Sequence, residues 1–149
     1  MPVKIDNILT YALIDTGASV SAISEYLFNR LRKDAKRNKI SSNDNLRSIC
    51  GDSMDILGVY SLRINLDSNA EELTQKFFVV PQLTETCILG IDFITENALV
   101  LDGENRRVTY KMKGKTYSLV ADTGNSSYEY SPMIQLLNAT VAKTMVRLG

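Results

Sequence analysis

Short apolar runs, each soon broken by turn formers, set the rhythm of this chain. Residues 3–6 and 9–15 are patterned as strands, with Asp6-Asn7 as the turn between them. Leu62, Ile64 and Leu66 alternate with Arg63 and Asn65, as in a strand with one buried face. Phe77-Phe78-Val79-Val80 predicts a fully buried strand that Pro81 ends. Residues 20–24, 46–49, 56–66, 86–89, 99–101, 107–112 and 115–120 supply further strands. Cys50-Gly51-Asp52-Ser53-Met54-Asp55 is rich in turn formers and reads as the tip of a hairpin between 46–49 and 56–66. Ser24 is placed to cap a helix over 25–33, and 90–97 predicts one or two further helical turns. Residues 36–45 and 67–72 are polar and read as loops. Many short strands with two short helices predict a mainly β domain, barrel-like or sandwich-like.

The last stretch changes period. Ser131-Pro132 offers an N-cap followed by proline at the first helical position. Ile134, Leu137, Val141, Met145 and Leu148 then recur at helical intervals, which predicts an amphipathic helix over 132–148. The chain therefore divides into a domain at 1–120 and a C-terminal extension at 121–149.

Composition narrows the chemistry. A chain of 149 residues, 44% hydrophobic, suits one globular domain with a tail. Its 17 acidic and 17 basic residues balance, so no overall field draws it to nucleic acid or to a membrane surface. Arg30, Arg32, Lys33, Lys36, Arg37 and Lys39 cluster locally, but no aromatic side chain interleaves to stack on bases, and a solvated face is the simpler reading. No apolar run is long enough to span a bilayer, and residues 1–6 lack the apolar stretch of a secretory signal. Histidine is absent, which removes Ser-His-Asp and Cys-His nucleophile systems and the zinc sites that need imidazole. Cys50 and Cys87 have no paired spacing and read as free thiols in a reducing compartment, an intracellular and cytoplasmic expectation.

One arrangement remains that carries chemistry. The apolar run Tyr11-Ala12-Leu13-Ile14 delivers Asp15-Thr16-Gly17-Ala18, an aspartate leaving a buried strand into a tight loop. Burial opposes its charged form, so such a site tends to exist for a chemical reason. Hydrolysis without metal, histidine or a nucleophilic side chain needs one carboxylate to accept a proton from water and one carboxylic acid to donate a proton. Two carboxyl groups about 3 Å apart cannot both ionise and so share a proton. This loop supplies one carboxyl; a two-fold homodimer would supply its copy. Asp122-Thr123-Gly124 repeats the tripeptide, but Asn125-Ser126-Ser127 follows it and too little chain remains for a second lobe, so it reads as a turn.

The run Ala12-Leu13-Ile14-Asp15-Thr16-Gly17-Ala18-Ser19-Val20-Ser21-Ala22-Ile23-Ser24 is similar to the proteases of gypsy-type LTR retrotransposons, and Ile88-Leu89-Gly90-Ile91-Asp92-Phe93-Ile94 resembles their second signature. The chain is accordingly identified as a member of the retropepsin-like aspartic proteases, with the likeness running over about residues 3 to 119. That resemblance implies a closed barrel-like domain, half of an acid protease, active as a homodimer on peptide bonds of a retrotransposon polyprotein, in the cytoplasm or a virus-like particle, with no metal and no other cofactor. Asp15 would be catalytic. Thr16, Gly17, Ala18, Ile88, Leu89 and Gly90 would support its loop. Ser19 and Val20, with Ile49, Cys50, Gly51, Asp52, Ser53 and Met54 of the flap-like hairpin, would contact substrate. A rival expectation keeps the dimeric fold as a peptide-binding module that does not cut.

Overall fold

Asp6 and Asn7 take φ values of 47° and 69°, left-handed conformations that short polar side chains tolerate. This tight turn folds β1 (Pro2–Ile5) back onto β2 (Ile8–Ile14) as an antiparallel hairpin. A computed structural model describes residues 1–40, 46–47, 53–66 and 71–120. The predicted helix over 132–148, the Asp122-Thr123-Gly124 turn and the boundary of the extension fall outside them.

β3 (Ala22–Ser24) runs directly into α1 (Glu25–Arg30), and the Ser24 hydroxyl accepts the Leu27 N–H at 3.2 Å, the expected N-cap. The helix is shorter than its apolar pattern suggests. Leu31 already has an extended backbone, and its side chain joins the core. A single 3-10 turn at Ala35–Arg37 leads to β4 (Lys39–Ile40), which falls inside the segment expected to be loop. β7 (Gly58–Asn65) explains the difference. Its far end pairs with β1, and β4 completes its ladder at Val59 and Tyr60.

β5 (Leu46–Arg47) and β6 (Ser53–Met54) form the expected hairpin, but its return strand is 53–54 rather than 56–66. β7 instead pairs along its length with β8 (Leu73–Val80), from Gly58↔Val79 to Ile64↔Leu73. β9 (Cys87–Leu89) leads into α2 (Ile91–Glu96), and β10 (Val100–Asp102), β11 (Arg107–Met112) and β12 (Lys115–Val120) make an antiparallel sheet of their own.

The main sheet closes on itself. Its order is β1-β2-β9-β3-β8-β7, and β7 returns to β1 through Lys4↔Asn65 and Ile5↔Ile64. Closure of six strands removes the exposed edges that an open sheet would present. Two pairings inside the ring, β2 with β9 and β3 with β8, are parallel.

Adjacent residues of β8 face opposite sides, and both sides are dry. Phe77 lies in the larger core cluster with Ile23, Leu27, Leu62, Leu89 and Tyr110, while Phe78 lies in a second cluster with Ala18, Val20, Val59, Val80 and Ile88. The second cluster sits beneath the Asp15 loop. Among the described residues no helix is long and apolar enough to cross a membrane.

Candidate active site

β2 and β9 run parallel in the register Ala12↔Cys87, Leu13↔Ile88 and Ile14↔Leu89. The pairing continues one step past β2, where the Asp15 N–H donates to the Leu89 carbonyl at 3.0 Å. The two sequence signatures, far apart in the chain, are thus neighbours in space. The loop then turns on Asp15 itself. The Gly17 N–H donates to Asp15 Oδ1 at 2.8 Å and the Ala18 N–H to the Asp15 carbonyl at 3.2 Å. The other carboxylate oxygen, Oδ2, is buried and has no hydrogen-bond partner among the described residues. A buried acceptor without a donor costs about 1–3 kcal/mol, so such an oxygen calls for an explanation.

The supporting residues divide by side. Ile88 and Leu89 are both fully buried, Ile88 in the cluster under the loop and Leu89 in the larger core. Gly90 is required by space. A Cβ there would stand 2.4 Å from the Val20 carbonyl oxygen and 2.7 Å from that of Ala18. The close approach lets the Ile91 N–H donate to the Ala18 carbonyl at 2.7 Å. Gly17 does not take a positive φ, so the loop draws on no left-handed conformation there. Ala18 is fully buried in the second cluster, and its small side chain fits a packed interior rather than an open cleft.

Thr16 is exposed, Ser19 half-buried and Val20 buried. Of the flap-like hairpin, Ser53 is exposed, and Met54 is half-buried and packs against the cluster that holds Ala18, Val20 and Ile88. Ile49, Cys50, Gly51 and Asp52 lie outside the described residues. The structure thus gathers Asp15, Ala18, Val20, Ile88, Gly90 and Met54 around one apolar seat.

Three residues that sequence reasoning passed over join the loop to α2. The Asp92 carboxylate accepts from the Ser21 N–H at 3.0 Å, the Ser21 hydroxyl at 2.7 Å, the Gln75 side-chain amide at 3.0 Å and the Phe93 N–H at 2.7 Å. The Ser21 hydroxyl also accepts the Gly90 N–H at 3.1 Å. An acidic residue in the first turn of a short helix, two positions after a glycine, was the available signal.

The family profile for gag-polyprotein putative aspartyl proteases matches residues 1–96, which span β1 to α2 and include both signatures. The chain belongs to this family. Among solved structures, this chain is similar to the retroviral protease-like domain of Ddi1 from Leishmania major. The two are 18% identical over 79% of this chain and 87% of that one, with a TM-score of 0.59. It also matches a retropepsin-like aspartic protease from Rickettsia conorii, 17% identical over 70% of this chain and 74% of that one, with a TM-score of 0.47. The family is that of retropepsin-like aspartic proteases, and the fold is theirs: a closed six-stranded barrel with two short helices.

Proposed function

We propose that this chain is an aspartic endopeptidase that works as a homodimer, with one Asp15 from each subunit. The observation that carries the reading is the Asp15 carboxyl. One oxygen is fixed by the Gly17 N–H, while the other is buried without a partner among the described residues. A second carboxyl brought to that oxygen by a two-fold axis would share a proton with it. The anionic member would take a proton from a water as its oxygen attacks the peptide carbonyl carbon. The protonated member would give its proton to the carbonyl oxygen. Collapse of the tetrahedral gem-diol would then break the C–N bond, with a carboxyl proton passing to the leaving amine.

Thr16 and Gly17 brace the loop in this reading, and Ile88, Leu89 and Gly90 hold it from behind. Ser19, Val20 and the hairpin from Ile49 to Met54 contact an extended peptide, whose main chain pairs as an added strand. The substrate is the polyprotein of a retrotransposon, met inside the cell or in a virus-like particle. Residues 1–120 form the protease domain and 121–149 an extension.

The test is digestion of a mixed peptide library from mildly acidic to neutral pH by wild type and by Asp15→Asn, at concentrations that favour association. Cleavage by wild type alone is the expected result. A folded dimer that cuts nothing would instead point to a peptide-binding module, and equal cleavage by both proteins would place the chemistry away from Asp15.

A further inference from the structure

Asp92 is unusual for a half-buried carboxylate. Its hydrogen bonds come from the Ser21 backbone, the Ser21 hydroxyl, the Gln75 amide and the Phe93 backbone, and none of these donors carries a charge. Each oxygen receives two of them, so the acceptor capacity of a carboxylate is filled. Three of the four reach Asp92 from outside its own helix: two from Ser21, just ahead of β3, and one from Gln75 of β8. Ser21 is fully buried and Gln75 nearly so, which makes the hub costly to leave half satisfied.

The position of the hub relative to the loop is informative. The outgoing leg is tied to β9 by the Asp15 N–H to Leu89 bond, and the returning leg to α2 by the Ile91 N–H to Ala18 bond. Ser21 closes the frame, accepting from Gly90 N–H while donating to Asp92. Gly90 lies so close to the Ala18 and Val20 carbonyls that no Cβ would fit between them.

We propose that Asp92 is a positioning residue for Asp15. Acting through Ser21, it locks the returning leg of the loop against Gly90 and so fixes where the Asp15 carboxyl points, without touching substrate. This rests on Asp15 being the reacting group, but the lock itself can be read without turnover.

Asp92→Asn is the sharpest variant. It keeps size and shape, but in either orientation its amide presents N–H groups to an existing pair of donors. Ser21→Ala removes the hydroxyl link and leaves Asp92 in place. Amide hydrogen exchange on the full chain is the first readout. Exchange at Ser21, Gly90 and Ile91 is expected to rise about tenfold or more in both variants, while amides of the β7–β8 ladder stay within about twofold. The double variant should exchange there no faster than the more affected single one, since both act on one network. Kinetics follow on a peptide that wild type cuts in the library digest. The expected change is a fall in kcat of about tenfold or more with KM within about twofold, because a displaced carboxyl weakens the transition state and not peptide binding.

Uniform acceleration of exchange across the barrel, or none at the loop, would overturn the lock and leave Asp92 a general stabiliser of the fold. A locally loosened loop with kcat unchanged would overturn its role in positioning. If wild type cuts no peptide, the endopeptidase reading fails, whereas the exchange pattern still decides whether Asp92 holds the loop.

Discussion

A methyl group on Gly90 would overlap two backbone carbonyls, and backbone gives way less easily than side chain. Gly90→Ala is therefore expected to cost about 2–3 kcal/mol or more, read as a lower midpoint in urea at unchanged slope. Burial acts on two titrating groups nearby. It pushes the Cys87 thiol far above its ordinary range, so little thiolate forms in the folded protein. In mass-resolved alkylation, the peptide carrying Cys87 should remain unmodified in buffer and react fully in denaturant. Burial also raises the Glu85 carboxyl, with the Met1 ammonium opposing. A carboxyl raised on folding gives stability that is complete below its unfolded value and is lost as pH rises through the folded one. Glu85→Gln should therefore melt higher than wild type near pH 7 and at the same temperature near pH 4. At this scale the sequence was most readable where a residue stands out from its surroundings. Asp15 follows an apolar run and is conspicuous. Asp92 is one acid among many, and only the folded chain shows that Ser21 and Gln75 donate to it from elsewhere in the sequence.

Elements were legible where their signals are local. Ser24 caps α1 as its residue type suggests, and Arg107–Met112 and Lys115–Val120 fall where the alternation placed them, turned by Lys113 and Gly114 at positive φ. The first half of β8 was not legible, because Leu73 to Lys76 alternates weakly and its inward residue is the polar Gln75. β4 was hidden as well, since its two residues are strand only by virtue of the ladder offered by β7. β8 permits a test of how the fold serves the site. Phe77 and Phe78 are both buried, one in the larger core and one in the cluster that carries Ala18 and Val20. Either residue changed to alanine should cost about 3–5 kcal/mol. Changed to leucine, each should destabilise less, and at matched stability Phe78→Leu should lose more peptidase activity than Phe77→Leu, because it slackens the floor of the Asp15 loop. Denaturation and turnover measured on the same preparations would check this.

The closed ring, unlike its strands, is a non-local fact. β1 meets β7 across about half the domain, and β2 lies parallel to β9 although some seventy-five residues separate the paired positions. Periodicity could predict many strands but not their partners; the likeness to known proteases supplied the barrel. The ring explains why a single loop can be held from two sides. If the reacting centre is a pair of Asp15 carboxyls on a two-fold axis, an inactive subunit must disable any partner it joins. Mixing wild type with Asp15→Asn then has a quantitative outcome. With free exchange of subunits, an equal amount of the variant should halve the activity of a fixed amount of wild type, and a ninefold excess should reduce it to about a tenth, as random pairing on an isologous interface requires. A monomeric enzyme, or one in which each subunit works alone, would show no loss. Titrating the variant into wild type while following cleavage of a single peptide separates these cases, and dilution of wild type alone should lower the activity per subunit in the same assay.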